Sequence, residues 1–338
     1  MPATMYDVAK LAGVSIKTVS NVINGYPYIR ESTRERVLAA IKELDYRVNV
    51  SARNLRSGRT GMIALAVPEL RLPYFAELAD SVIRAAEDAG LTVLIQQTNG
   101  DRARELSVLS GLHRHRTDGV IFSPLALGEE DRAAFDADFP LVLLGERIFN
   151  SGFDHVTMRN VEGARAATEY LMGLGRKRIA VIGAHPGELV GTARLRVEGY
   201  TQALVEAGHR ADPALVAEAG LWHRSTGAQA MHQLLDSGAE IDAVFALNDA
   251  LALGALHALH ERRIAVPDQI AVIGFDDIEE ARYSVPTLSS VSPGREQIAR
   301  TAVQLLRARI AATADGEPAP PAEVFADFEL RLRESTEG

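Results

Sequence analysis

The run Tyr6-Asp7-Val8-Ala9-Lys10-Leu11-Ala12-Gly13-Val14-Ser15-Ile16-Lys17-Thr18-Val19-Ser20-Asn21-Val22-Ile23-Asn24 decides how the N-terminus folds. Ala9 is small enough for two helices to close on each other, Gly13 permits a left-handed turn residue, and Val19 plugs the angle between them. Thr4 with Asp7 predicts a capping pair ahead of Val8, Ala9, Leu11 and Ala12. Ser15 predicts the cap of a second helix burying Val19, Val22 and Ile23, which Asn24-Gly25 ends. Ser32 and Glu35 predict a further capping box before a third helix that buries Val37, Leu38, Ile41 and Leu44. The competing reading is a generic helical bundle with one tight turn.

A helix-turn-helix places the start of its second helix in the DNA major groove. Ile16, Lys17 and Asn21 project away from the buried valines, so they are expected to read bases: Lys17 a guanine, Asn21 an adenine, Ile16 a thymine methyl. Tyr6, Ser15, Thr18, Ser20, Asn24 and Arg34 are donors suited to phosphates, which set register without reading sequence. Charge supports this division. Residues 1–60 carry ten Lys/Arg against five Asp/Glu, or +5, whereas the other 26 basic and 40 acidic residues leave −14. A basic head on an acidic body is expected where one end meets phosphate.

The 338 residues predict two or three domains. Absence of cysteine removes disulfides, thiol nucleophiles and cysteine-ligated zinc. No signal-peptide pattern opens the chain and no apolar run reaches membrane-spanning length, so a cytoplasmic, nucleoid-associated protein with no membrane partner is expected.

From Met62 onward, strand-like runs alternate with helical ones, as a doubly wound α/β fold requires. Expected strands are Met62–Val67, Leu91–Ile95, Gly119–Phe122, Leu141–Leu144, Ile179–Ile182, Ala243–Ala246 and Ile270–Ile273. Expected helices include Tyr74–Ala89, Ala103–His113, Val161–Leu174, Arg194–Ala207 and Leu251–Glu261. Such sheets bind ligands at their carboxyl ends. A dinucleotide enzyme would carry a glycine loop after the first strand, but Pro68-Glu69-Leu70-Arg71-Leu72-Pro73 stands there. Tyr74 and Phe75 offer instead aromatic faces for a sugar ring or another flat ligand, the alternative for Phe75 being simple core packing. His113-Arg114-His115 reads as a solvated face rather than a metal site. No glycine-flanked serine appears, and Asp276-Asp277 alone is no acid/base pair. The expectation is therefore no catalysis, no metal and no cofactor.

The quoted run, together with Ser51-Ala52-Arg53-Asn54-Leu55-Arg56-Ser57-Gly58-Arg59-Thr60, resembles the DNA-binding head and hinge of the LacI/GalR family of bacterial regulators. The resemblance implies a hinge helix and assigns Leu55 as a minor-groove wedge, although a linker leucine also serves for packing. Asn21 stands where many relatives carry Arg, and Val48 where they often carry Pro, so base preference and hinge entry are expected to differ. The resemblance runs on to Leu330-Arg331-Leu332-Arg333-Glu334-Ser335-Thr336. It implies two periplasmic-binding-protein-like lobes joined by crossovers near Arg159–Val161, Pro286–Pro293 and Pro318–Glu323. It also implies effector contacts from Arg196 of Arg196-Val197-Glu198-Gly199, from Asn248 of Asn248-Asp249 and from Asp276 of Gly274-Phe275-Asp276-Asp277. Trp222 occupies the place of a stacking ring, and Glu146-Arg147 a place often held by Asp-Arg. Alternatives stay open: a surface salt bridge for Arg196 and Asp276, a helix cap for Asn248. Arg159 and Pro293 depart from the Asp and Gln of relatives.

The expected architecture is thus an all-α helix-turn-helix head (1–48), a hinge (49–60) and an α/β periplasmic-binding-protein-like body of two doubly wound parallel-sheet lobes. The first lobe takes about 61–160 and 292–320, the second about 161–291 and 321–338. The expected function is a homodimeric repressor binding palindromic operator DNA under control of a small-molecule effector of carbohydrate type. The competing reading is a solute-binding receptor with no regulatory role; a sugar-processing enzyme ranks behind it.

Overall fold

The computed structural model describes residues 3–23, 25–46, 59–110, 116–135, 138–188, 190–315 and 319–337. Asn24, hinge residues 49–58 with Leu55, and His113 and His115 lie outside the described residues. Two compact units emerge, Met1–Thr60 and Gly61–Gly338.

In the first unit, α1 (Met5–Ala12) starts where Thr4 Oγ1 accepts from the Asp7 amide while the Asp7 carboxylate accepts from the Thr4 amide. Gly13, at φ +63°, ends it. Ser15 Oγ accepts from the Thr18 amide at 3.1 Å and opens α2 (Ile16–Ile23). Val8, Ala9, Ala12, Val19, Val22, Val37, Ala40 and Tyr46 form the buried core.

Two expectations for α3 (Glu31–Glu43) are corrected. Arg30 holds the N-cap position without a side-chain cap bond, because the helix begins one residue before Ser32 and places that serine inside the first turn. Leu38 is exposed: Val37 and Ala40 define the buried face, and one residue further on is a rotation of about 100° away from it.

The body holds two six-stranded sheets. The first runs β11-β5-β4-β3-β1-β2 and the second β12-β10-β9-β8-β6-β7. The first comprises β1 (Met62–Val67), β2 (Thr92–Gln97), β3 (Gly119–Phe122), β4 (Leu141–Leu144), β5 (Asp154–Met158) and β11 (Glu323–Ala326). The second comprises β6 (Ile179–Ala184), β7 (Val216–Glu218), β8 (Ala243–Ala246), β9 (Ala271–Phe275), β10 (Ser289–Ser292) and β12 (Glu329–Arg331). Every pairing is parallel except β10 with β12. Helices α4 (Pro73–Asp88), α5 (Arg102–Leu109) and α10 (Arg295–Asp315) accompany the first sheet. Helices α6 (Asn160–Gly173), α7 (Thr192–Glu206), α8 (Arg224–Asp236) and α9 (Asp249–Glu261) accompany the second. Strand order reverses between β1 and β3 and between β6 and β8, which opens a crevice at the carboxyl ends of these strands.

The chain passes between lobes three times. The first passage, from β5 into α6, lies at Arg159, as expected. The second follows β10, at the last residue of the expected Pro286–Pro293 stretch, because Ser289–Ser292 is itself a strand of the second sheet. The third is corrected. Glu323–Ala326 pairs with His155–Met158 in the first sheet, so the crossing comes at Asp327-Phe328, and residues 321–326 belong with the first lobe.

Candidate functional site

On the head, Ile16 and Lys17 are exposed at the start of α2, opposite buried Val19 and Val22. Asn21 lies one turn beyond Lys17 on the same face, half-buried. Tyr6 and Ser15 are exposed, and Thr18 and Ser20 half-buried. The Ser15 and Thr18 hydroxyls hydrogen-bond each other at 2.9 Å. Arg34 is tied locally: it donates to the Tyr26 carbonyl at 3.3 Å and pairs with Glu31 at 3.7 Å.

In the body, a cleft of about 220 Å³ lies where the loops after β1, β3, β4, β6, β8 and β9 converge. Tyr74, Phe75, Glu146, Arg147, Arg196, Trp222, Asn248 and Asp276, brought from six separate places in the sequence, all line it.

Arg196 forms its floor and is buried. The side chain leaves α7 and donates through Nε to Asn160 Oδ1 at 2.8 Å, through Nη1 to the Leu247 carbonyl, and through Nη2 to Asp276 Oδ1 at 3.5 Å. Its guanidinium carbon stands 3.5 Å from the Phe275 ring centroid and 5.6 Å from that of Trp222. Burial lowers the pKa of Arg196, opposed by nearby Asp276 and Glu146. Asp276 follows β9 at φ +112°. Burial raises its pKa to about 6, with Arg196 and Arg295 pulling the other way. Burial also pushes the Tyr74 phenol up.

Asn248 takes the capping role that competed with ligand contact. Its Oδ1 accepts from the Leu251 amide at 2.8 Å, and its Nδ2 donates to the Trp222 carbonyl at 3.4 Å. Trp222 is anchored by its indole N–H on the Gly183 carbonyl at 3.0 Å, with His185 at 5.7 Å between ring centroids.

Contacts across the cleft hold the lobes against each other. Arg147 of the first lobe donates to Glu188 at 2.7 Å and to the Val190 carbonyl at 2.9 Å. Thr192 donates to Glu146 at 2.5 Å, and His223 meets Glu69 at 3.1 Å. Glu188 raises the pKa of His185 by a hydrogen bond of 3.1 Å, against desolvation.

Sequence reasoning missed Glu69, Asn99, Ser123, Thr157, His185, Glu188, Thr192 and His223, all on the cleft wall. Glu69, Ser123 and His185 stand one or two residues beyond β1, β3 and β6, so the rule that ligands meet strand carboxyl ends reaches them. Thr157 lies inside a wholly buried strand whose pattern carries no alternation. Among the described residues, no group of three or more His, Asp or Glu is placed to hold a metal ion, and no helix is long and apolar enough to cross a membrane.

A helix-turn-helix head and a two-lobed body built around an aromatic-lined cleft with charged groups in its wall define a transcription regulator with a ligand-binding module. Residues 4–49 match the family model for bacterial regulatory proteins of the lacI family, and residues 168–336 that for the periplasmic binding protein-like domain. The chain belongs to the LacI family of bacterial transcriptional regulators. It is 35% identical over 299 residues to the HTH-type transcriptional regulator DegA of Bacillus subtilis, covering 86% of this chain and 87% of that one. The transcriptional regulator CelR in complex with cellobiose is 32% identical with a TM-score of 0.73, covering 98% and 99%. The lac repressor dimer bound to operator and the anti-inducer ONPF superposes at TM-score 0.84 with 26% identity, covering 99% of each chain.

Proposed function

We propose that this protein is a homodimeric repressor whose affinity for palindromic operator DNA is set by a small carbohydrate or carbohydrate derivative in the cleft. The head is assigned to residues 1–48, the hinge to 49–60 and the effector-binding body to 61–338. Ile16, Lys17 and Asn21 read bases, and Tyr6, Ser15, Thr18, Ser20, Asn24 and Arg34 meet phosphates. Leu55 enters the minor groove; that assignment rests on the sequence resemblance.

The observation that carries the effector reading is the cleft itself: a buried Arg196–Asp276 pair on its floor, flanked by the faces of Tyr74, Phe75 and Trp222. Carboxylates and a guanidinium edge suit hydroxyls, and aromatic rings suit the apolar face of a sugar. The relatives whose structures hold cellobiose and operator DNA support the same assignment. The protein binds its effector without turning it over, and it acts in the cytoplasm. An exposed, basic recognition helix favours regulation over solute carriage.

Trp222 is the only tryptophan, so sugars are titrated against its emission while operator binding is followed by gel shift. One compound should move both signals. A protein that prefers no palindromic site over random DNA, with or without sugars, is not such a repressor.

A further inference from the structure

We infer that the effector is uncharged, and that Glu146 is the residue that discriminates against its phosphorylated or carboxylated counterparts. The inference rests on the cleft being the effector site.

Four carboxylates line the cleft, Glu69, Glu146, Glu188 and Asp276, against two guanidiniums, Arg147 and Arg196, and no lysine. Both guanidiniums are already engaged by the wall: Arg196 by Asp276 and the Leu247 carbonyl, Arg147 by Glu188 and the Val190 carbonyl. The two histidines are held in the same way, His223 by Glu69 and His185 by Glu188. Carboxylates thus outnumber guanidiniums four to two along the lining.

Helix N-termini are the other natural anion sites, and three begin at this cleft. One opens on a proline, one lies beside a carboxylate and one is capped by a side chain. Helix α4 starts at Pro73, which has no amide hydrogen to offer. The start of α7 faces Glu146, which accepts from Thr192 at 2.5 Å. The start of α9 is capped by Asn248 and carries buried Asp249.

Glu146 is an acceptor open to a ligand. It is buried, and its hydrogen bonds come from two hydroxyls, Thr157 at 3.2 Å and Thr192 at 2.5 Å, which leaves lone pairs for further donors. Beside it, Arg147 Nε is a buried donor without a partner. A hydroxyl both donates and accepts, so it satisfies both groups. A phosphate or carboxylate group in the place of that hydroxyl brings no donor to Glu146 and sets like charges together in a partly desolvated site, which is strongly unfavourable.

The test titrates the full-length protein with neutral pentoses, hexoses and disaccharides, each beside its phosphate or uronate, by calorimetry. A neutral sugar should bind at least about ten-fold more tightly than its anionic counterpart. In Glu146→Gln, with fold checked by circular dichroism, that ratio should fall toward one; Glu69→Gln, on the same lobe but beyond a different strand, gives a second reading should the first variant not fold. An anionic sugar that outcompetes its neutral parent overturns the inference but leaves the cleft as the carbohydrate site. An unchanged ratio in Glu146→Gln removes that residue's role. No binding by any sugar, neutral or anionic, overturns the carbohydrate reading and this inference with it.

Discussion

Arg196 and Asp276 face each other at 3.5 Å inside the second lobe, with 2% and 8% of their side chains exposed. Neither has water to fall back on, so each depends on the other and on the groups that hold it. Asn160, the Leu247 carbonyl and the Phe275 ring fix the guanidinium in plane. The pair is thus a structural element of the lobe before any ligand arrives.

Arg196→Met should destabilise the body by about 3–5 kcal/mol, the usual cost of removing one partner of a buried pair. Arg196→Lys should recover little, because one ammonium cannot serve Asn160, the Leu247 carbonyl and Asp276 from a fork's three directions. Urea unfolding measures both. A loss below about 1 kcal/mol would show that the network relaxes around the vacancy.

Asp276 makes stability depend on pH. Its native pKa of about 6 lies above its ordinary 3.8, so between these values the native state holds more proton than the unfolded chain. Stability contributed by the protonated acid is therefore complete below pH 4 and declines as pH rises through 6, by about 3 kcal/mol in all. Asn tolerates the left-handed backbone that Asp276 adopts. Unfolding midpoints from pH 4.5 to 7 should thus lose this component of the slope in Asp276→Asn; equal slopes in the two proteins would contradict the assignment.

Helices α8 and α9 pack backbone to backbone through glycine. A Cβ at Gly227 would stand 2.3 Å from the Leu251 carbonyl oxygen, and one at Gly254 2.0 Å from that of Arg224. Gly227→Ala should cost several kcal/mol because only main-chain movement relieves the clash. Gly173, at the end of α6, has open space around the same position. Gly173→Ala should be neutral or stabilise by up to about 1 kcal/mol. Thermal unfolding of the two variants side by side checks the contrast.

Lys17→Ala should weaken operator binding by about 1–3 kcal/mol and relax preference at one base pair while leaving binding to random DNA nearly unchanged. Equal losses on operator and random DNA would make Lys17 a phosphate contact instead. Arg34→Ala differs in kind: it frees the Tyr26 carbonyl and Glu31, so head stability should fall along with affinity.

Much of this was legible in the chain because the signals are local. The Thr4–Asp7 capping box, the left-handed Gly13 and the plug at Val19 are each determined by residues a few positions apart, and all three stand in the structure. Long apolar runs such as Met62–Val67 gave the central strands for the same reason. Asp154–Met158, Ser289–Ser292 and Glu323–Ala326 were not legible. Their polar residues mask strands that exist because neighbouring strands satisfy their backbones.

The sequence by itself determined the head, the alternation of the body and the identity of eight cleft residues, since turn chemistry, periodicity and motif are properties of nearby positions. Tertiary structure alone decided what those eight do. It made Asn248 a cap, engaged Arg196 with Asp276 and Asn160, set Glu146 against Thr192 of the other lobe, and moved the last crossing to Asp327-Phe328. Partners separated by tens to hundreds of residues meet only when sheets form and lobes pack, and burial then sets which charges must be paired.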